Sequence, residues 1–151
     1  MLFMNIKGGM FMDDEAFRKL LISCQMLALE GLNNGTYAII PGLKIDKINQ
    51  NIFLGLNNNS AIFVTQLTYD KLKKFHENWL PNRTIAIKQE YIIDEDRKMV
   101  DIIGVIVHEA GHAFNIYAGL PNTETNAYIF EIEILRNLFK KNVLREQFGI
   151  T

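Results

Sequence analysis

The chain has 151 residues, of which 48% are hydrophobic and 22% are charged, and its formal net charge at pH 7 is −1. These values are typical of a globular domain and exclude a disordered chain. The small net charge does not indicate a basic surface for nucleic acid, and no apolar run approaches the length of a membrane span. We therefore predict a single domain over residues 1–151, with neither a nucleic acid nor a membrane as its partner.

The single cysteine, Cys24, cannot form an internal disulfide, which favours a reducing compartment. Leucines surround it in the sequence, so we predict a buried structural thiol. Residues 1–12 contain one lysine and two glycines and are followed by Asp13-Asp14-Glu15, which does not match a signal peptide. We expect a cytoplasmic protein, or one delivered to another cell without a cleavable signal peptide. The sequence does not indicate an oligomeric state.

The first predicted element is a helix over Asp14–Glu30. Its apolar side chains recur at spacings of three and four residues, which places them on one face. They are Phe17, Leu20, Leu21, Cys24, Leu27 and Ala28. Asp13 can cap the start of this helix, and Gly31 can end it.

Three short segments after this helix have the composition of strands. They are Tyr37–Ile40, Ile52–Leu56 and Ala61–Gln66, each rich in β-branched or aromatic residues and bounded by Gly, Asn or Pro. The asparagine-rich sequence between the last two predicts the loop of a hairpin.

A second helix is predicted from Thr68 to about Leu80, with the Thr68 hydroxyl as its cap and Pro81 after its end. The next segment, Thr84–Ile92, alternates like a strand and carries charge on one face. This pattern predicts an exposed or edge position in the sheet.

The most apolar predicted helix runs from Asp94 to about Ala118, and its middle is apolar on nearly all sides, so it should be central and buried. Gly119–Asn122 ends this helix, and a last helix follows from about Thr123 to Glu146. We therefore predict an α+β fold, with a small mixed or antiparallel sheet of about four strands on a buried helix and a C-terminal helical hairpin.

Two of the three histidines lie four residues apart, in His108-Glu109-Ala110-Gly111-His112. Residues at this spacing on a helix differ by about 40° in direction and about 6 Å in height, so both imidazoles can hold one zinc ion. Glu109 projects beside the metal, where its carboxylate can take a proton from a zinc-bound water. Zinc lowers the pKa of such a water to about 7.

The sequence around this motif distinguishes a buried site from two surface histidines. Ile-Ile-Gly-Val-Ile-Val precedes His108, and two histidines and a glutamate in so apolar a helix are costly unless a metal compensates them. Gly111 costs about 1 kcal/mol relative to alanine in a helix. We therefore predict that another backbone or a ligand comes close at that point.

A third protein ligand would leave one zinc position for water. No histidine follows at the spacing found in metzincins, where Ala118 stands. His76 lies in the second predicted helix among charged residues, and we interpret it as a solvent-facing side chain.

The remaining candidates for the third ligand are carboxylates of the last helix. Glu124 lies in its first turn, and Glu131 lies nearly two turns further on, roughly level with His112 if the helices pack closely. Glu133 points away from both and is interpreted as a surface residue. Helix geometry alone leaves Glu124 and Glu131 as alternatives.

The His108–His112 motif followed by Glu124–Phe130 resembles the zincin metallopeptidases of the gluzincin type. In these enzymes a glutamate on a later helix completes the zinc site, often with an alanine three residues after it, as Glu124 and Ala127 are spaced here. The resemblance implies a zincin-like fold.

Two further segments carry a narrower resemblance. Ala127–Leu135 is similar to the corresponding segment of the ImmA/IrrE-type peptidases, and His112–Gly119 is similar to the end of the active-site helix in the anthrax lethal factor group. The resemblance as a whole covers roughly residues 84–136.

For the site, the resemblance implies one zinc ion per chain, held by His108, His112 and Glu124. Helix geometry keeps Glu131 as the alternative third ligand. The resemblance implies that Glu109 is the catalytic base. A helping donor for the oxyanion is usual in such enzymes.

Tyr128, one turn after Glu124, is the candidate for this donor, unless it is a boundary tyrosine without a catalytic role. Tyr117 and Asn115 are weaker candidates. By the same resemblance, a peptide substrate adds to an edge strand beside the active-site helix, and Thr84–Tyr91 is the predicted edge.

We therefore predict a zinc-dependent endopeptidase that hydrolyses peptide bonds of a specific protein substrate. The alternative is a zinc-binding module of the same fold that captures a peptide or protein without cutting it. Glu109 argues against this alternative, because a structural zinc site has no use for a base. Hydrolysis of a non-peptide amide is a third possibility that the sequence leaves open.

Overall fold

The computed structural model describes residues 3–4, 10–49 and 59–150, in which the chain forms five strands and six helices. The strands are β1 (Phe3–Met4), β2 (Met10–Phe11), β3 (Lys44–Ile48), β4 (Ala61–Phe63) and β5 (Thr84–Lys88). The helices are α1 (Asp14–Glu30), α2 (Gln66–Leu72), α3 (Gln89–Ile93), α4 (Met99–Tyr117), α5 (Glu124–Lys140) and α6 (Val143–Phe148). The predicted α+β class is confirmed.

Helix α1 begins and ends where the sequence predicts. The Asp13 carboxylate accepts a hydrogen bond from the backbone N–H of Ala16, which satisfies one of the free donors of the first turn. At the other end Gly31 has a φ of 100°, and its N–H donates to the carbonyl of Leu27. The helix therefore has a local signal at each end.

The central sheet has three strands in the order β3-β5-β4, and β1 and β2 form a separate antiparallel pair. β3 runs parallel to β5 and β4 runs antiparallel to it. The prediction that Thr84–Ile92 lies at an exposed edge is wrong, because Ile85, Ala86 and Ile87 are 0% exposed in the middle strand. The charged residues that suggested an edge belong to the end of β5 and to α3. Within the described residues, β4 is an edge of this sheet.

The predicted strand Tyr37–Ile40 is wrong. The backbone of this segment bonds to α1 and not to a strand: the N–H of Ala38 donates to the carbonyl of Ala28, and the carbonyl of Ile40 accepts from the amide of Gln25. Its alternation of buried and exposed side chains comes from packing along a helix.

No strand is predicted at β3, whose sequence Lys-Ile-Asp-Lys-Ile is charged at three of its five positions. It forms because β5 offers it a full parallel partner, with Lys44 opposite Thr84 and Ile48 opposite Lys88. The predicted strand Ile52–Leu56 lies outside the described residues, as does most of the predicted hairpin loop.

Helix α2 begins and ends earlier than predicted. β4 ends at Phe63, before the predicted Gln66, and Thr65 caps the helix by accepting a hydrogen bond from the N–H of Thr68. Thr65 and Thr68 are both residue types that cap helices well. Thr65 takes this position because β4 ends just before it. The helix ends at Leu72, and turns follow it.

Helix α4 begins later than the predicted Asp94. The side chain of Asp94 accepts from the N–H of Asp96, and its carbonyl accepts from the N–H of Arg97, so a turn takes the place of a first helical turn. The middle of the helix is buried as predicted.

In the part of the chain that is described, no helix is long and apolar enough to cross a membrane.

The last predicted helix, Thr123–Glu146, is divided into α5 and α6. Thr123 caps α5 by accepting a hydrogen bond from the N–H of Asn126. Asn142 interrupts the helix because its backbone is left-handed, with a φ of 61°.

Helix α4 is the centre of the core. It packs against β4 and β5 and also against α1 and α5. Ile103, Ile106 and Phe114 of α4 and Phe130 of α5 are 0% exposed, and full burial of such a side chain stabilises the fold by about 1.5–3 kcal/mol. The histidine motif is therefore held by the most strongly packed element.

Helices α4 and α5 come into backbone contact at Gly111. A Cβ atom at this position would lie 2.8 Å from the carbonyl oxygen of Ala127 and 3.1 Å from its Cα. The prediction that another backbone comes close at Gly111 is confirmed.

We expect Gly111→Ala to destabilise the protein, because the added Cβ has to displace the backbone of α5. Gly104 of α4 is the matched control, since the nearest atom to a Cβ there is 3.8 Å away. Both substitutions gain about 1 kcal/mol of helix propensity. Urea unfolding should place the free energy of unfolding of Gly111→Ala about 1–3 kcal/mol below that of Gly104→Ala. Equal stabilities would contradict the close approach.

The predicted burial of Cys24 is confirmed, since it is 0% exposed and burial raises the pKa of its thiol from 9.0 to about 12. Above pH 9 the unfolded thiol ionises and the folded thiol does not, so stability is lost as pH rises. We expect the free energy of unfolding to fall by up to about 1.4 kcal/mol for each pH unit between 9 and 11. The free energy of unfolding of Cys24→Ala, measured with urea, should lack this part of the pH dependence. If it falls with pH as steeply as that of the unsubstituted protein, the explanation is excluded.

Candidate metal centre

Helix α4 brings His108, Glu109 and His112 to the wall of one cleft. His108 and Glu109 are each 9% exposed, and His112 is partly exposed. One possible ligand atom from each of the three side chains lies within 4.8 Å of those of the other two. The two histidines face the same side because they are four residues apart on the helix.

The first residue of α5 lies directly opposite the two histidines. The Oε2 atom of Glu124 is 3.0 Å from Nε2 of His108, and its Oε1 atom is 2.8 Å from Nε2 of His112. Burial raises the pKa of this carboxyl, but the hydrogen bonds and charges of the two imidazoles outweigh burial and hold the pKa below its ordinary value. One carboxylate thus faces Nε2, the inner nitrogen, of both rings. Nδ1 is the outer nitrogen of each ring.

The outer nitrogen of each ring also meets an acceptor. Nδ1 of His108 is 2.9 Å from Oε1 of Glu131, and Nδ1 of His112 is 2.7 Å from Oδ1 of Asn122. Glu131 is therefore level with His108, and the prediction that it is level with His112 is wrong. The first turn of α5, rather than its second, lies beside His112.

These contacts allow a test of whether the residues fit a metal ion. A neutral imidazole has one N–H, which in each ring is used at Nδ1, facing Glu131 or Asn122. Both Nε2 lone pairs then face the carboxylate of Glu124, which also only accepts. Either two extra protons or one cation can satisfy this arrangement. Two imidazole nitrogens and a carboxylate oxygen form a donor set that suits zinc, so the residues present fit it.

Glu109 has a different environment from Glu124. Burial raises its pKa to about 8, and the negative charge of Glu124 adds to this, while a hydrogen bond from the backbone N–H of Phe63 acts in the opposite direction. A cation held by the neighbouring histidines would lower the pKa again. The carboxylate is thus held against β4, next to the histidines.

The three candidates for a helping donor have different positions. Tyr128 lies in the cleft with its ring 4.3 Å from the His108 ring and is 53% exposed. The hydroxyl of Tyr117 donates instead to the carbonyl of Asn82, and Asn115 is fully buried behind His112. Of the three, Tyr128 is the one whose side chain lines the cleft.

Two other residues considered in the sequence lie away from this centre. The carboxylate of Glu133 accepts a hydrogen bond from the N–H of Asn33. The interpretation of His76 as a solvent-facing side chain is wrong, because it is 8% exposed and stacks on Trp79 at 4.0 Å between ring centroids. The chain leaves α2 before His76, which removes the helical face assumed for it.

The cleft around the centre has a volume of about 980 Å³. Residues of α4 from Val100 to His112 line it along one side, and residues of β4, α2 and α5 line it on the others. Within it, Gly104, Val105 and Leu135 provide apolar surface beyond the polar centre. The cleft is large enough for several residues of a peptide.

Two contributors to the centre have no individual signal in the sequence. Asn122 suggests only a helix-breaking turn, and the N–H of Phe63 is one of many backbone donors. Both contacts depend on which segments pack beside α4. Neither residue could therefore be assigned to the centre from the sequence.

Comparison of the chain with protein-family models, with curated proteins and with solved structures gives no match in any of the three.

We expect the metal affinity of glutamate variants of α5 to follow their place at the centre. Glu124→Gln should weaken zinc binding most, because it removes the charge that faces both Nε2 atoms. Glu131→Gln should weaken it by about 10–100-fold, because it removes only the partner of the outer nitrogen of His108. Glu133→Gln is the control and should bind zinc like the unsubstituted protein. Competition with a chromophoric chelator measures the three affinities, and a larger loss in Glu131→Gln than in Glu124→Gln would reverse the roles.

Proposed function

We propose that this chain is a zinc-dependent endopeptidase of the gluzincin type that acts on a protein substrate. The observation that carries the proposal is the position of Glu124, whose carboxylate faces Nε2 of both His108 and His112 while each Nδ1 faces another acceptor. A buried glutamate, Glu109, stands next to this group in the same cleft. A structural metal site needs no such residue.

In this proposal His108, His112 and Glu124 hold one zinc ion, and Glu131 orients His108 through its outer nitrogen. The ion, when bound, would acidify a coordinated water and polarise the carbonyl of a peptide bond. Three protein ligands leave a further position open in such a site.

Glu109 is proposed as the general base and then the general acid. Its carboxylate takes a proton from the attacking water and passes it to the amine that leaves when the peptide C–N bond breaks. The hydrogen bond from the backbone of Phe63 holds this carboxylate against β4. Because β4 borders the cleft, the base lies beside the surface on which we place the substrate.

The free edge of β4 is proposed as the substrate-binding strand, in place of Thr84–Tyr91. Ser60 and Val64 bond to β5 through their backbone groups, so the backbone groups of Ala61 and Phe63 face away from it. The N–H of Phe63 bonds to Glu109, so the N–H and carbonyl of Ala61 and the carbonyl of Phe63 are the groups proposed to pair with a peptide. In the residues described, no strand pairs with this side of β4. An extended peptide can add there as a further strand beside the histidines.

Tyr128 is proposed to donate its hydroxyl to the oxygen of the carbonyl under attack. Its ring contacts the His108 ring, and its side chain is exposed to the cleft. A donor held at that position stabilises negative charge that develops in the transition state.

We expect Glu109→Gln to lower the rate of peptide hydrolysis by at least about 100-fold, because it removes the proton acceptor. The variant should still bind one zinc ion per chain, since its histidines and Glu124 are unchanged. Mass spectrometry of a proteome-derived peptide library, incubated with the zinc-loaded protein, measures the cleavage. Glu146→Gln, an exposed glutamate outside the cleft, is the control and should cleave like the unsubstituted protein.

Hydrolysis that persists in Glu109→Gln would exclude this mechanism. Hydrolysis that survives removal of zinc by a chelator would exclude the metal. A zinc-loaded protein that binds peptides from the library and cuts none would favour the alternative of a non-catalytic binding module.

A further inference from the structure

A buried polar side chain, that of Asn115, follows His112 on α4 at a spacing of three residues. Asn115 is 0% exposed, and its Nδ2 atom is 3.3 Å from Oδ1 of Asn122 and 3.4 Å from the carbonyl oxygen of Thr123. Oδ1 of Asn122 is the same atom that faces Nδ1 of His112 at 2.7 Å. Two donors, one from Asn115 and one from His112, thus converge on one oxygen.

This convergence sets the orientation of the Asn122 amide. If the amide were rotated by half a turn, its NH₂ group would face the NH₂ group of Asn115, and two donors would oppose each other. Asn115 therefore turns the oxygen of Asn122, and not its nitrogen, toward His112. An oxygen at that point requires a proton on Nδ1 of His112 and leaves the Nε2 lone pair directed at Glu124.

We propose that Asn115 is a positioning residue that acts through Asn122 to hold His112 in the tautomer that binds a metal at Nε2. The inference rests on the proposed metal site. Asn115 touches neither the ligand atoms nor the cleft; its effect passes through one hydrogen bond to a residue on the turn between α4 and α5. The same amide group lies 3.4 Å from the carbonyl oxygen of Thr123, which keeps Nδ2 of Asn115, and not its Oδ1, on the side of Asn122.

The cost of Asn115 supports a functional reason for it. Within the described residues its Oδ1 atom is buried and has no hydrogen-bond partner. An unsatisfied buried oxygen destabilises a fold, and an apolar side chain of similar size would avoid it. The backbone carbonyl of Asn115 accepts from the N–H of Leu120, so the turn keeps this bond whatever side chain stands at the position.

The experiment measures zinc affinity by chelator competition and the urea unfolding of the metal-free protein, using the full chain. Asn122→Ala removes the oxygen and should weaken zinc binding by about 10–100-fold. Asn122→Asp keeps an oxygen acceptor and should bind zinc at least as tightly as the unsubstituted chain. Asn115→Leu and Asn115→Ala remove the donor and should both weaken binding by about 10-fold, although they differ in packing.

The double variant Asn115→Leu with Asn122→Ala tests whether Asn115 acts through Asn122. If it does, the double variant loses no more zinc affinity than Asn122→Ala alone, because the first substitution has nothing left to orient. Independent, multiplying losses would overturn the proposal. So would affinity losses that follow the stability of the metal-free proteins, since these would show a structural role alone.

The exposed position of Asn122 keeps the test decisive if the buried Asn115 variants do not fold. Equal zinc affinity in Asn122→Ala and Asn122→Asp would then overturn the proposal, and loss in the first with retention in the second would support it. An unsubstituted protein that binds no zinc overturns the metal site itself. Tight binding in the unsubstituted protein and in every variant overturns only the positioning role.

Discussion

Helices α4 and α5 can approach each other closely because Gly111 has no side chain, and the backbone at Ala127 occupies the space where a Cβ would stand. This contact sets how α5 lies over the histidines. Glu124, Tyr128 and Glu131 recur at spacings of four and three residues on α5, so all three line the cleft shared with α4. A larger residue at the crossing would move this whole face outward, and the carboxylates would leave the histidines.

The polar groups around the crossing compensate one another in an otherwise apolar interior. Burial penalises an unpaired imidazole or carboxylate, and here each ring nitrogen of the two histidines meets an oxygen. All of these oxygens are acceptors, so the two inner nitrogens need either protons or a cation between them and Glu124. The zinc ion that we propose would bind both inner nitrogens and satisfy them together. Burial raises the pKa of the neighbouring Glu109 to about 8, and the negative charges of Glu124 and Glu131 act in the same direction.

The helices can be predicted from the sequence more reliably than the strands. A helix is signalled by local features, such as Asp13 before α1 and Thr123 before α5, whose side chains cap the helices they precede. A strand forms only with a partner. Tyr37–Ile40 has the alternation of a strand but packs along α1, whereas the charged β3 forms because β5 lies beside it. For the same reason the position of β5 in the middle of the sheet could not be derived from its own residues.

The sequence by itself determined that His108 and His112 point the same way, since four residues make about one helical turn. The apolar run before them also determined that the motif lies in a buried helix. The tertiary structure alone decided which carboxylate faces both inner nitrogens, because this depends on where α5 crosses α4 and not on spacing along α5. It placed Glu124 there and Glu131 at the outer nitrogen of His108. It also placed Asn122 and Asn115 behind His112, since contacts between separate segments arise only when the chain packs.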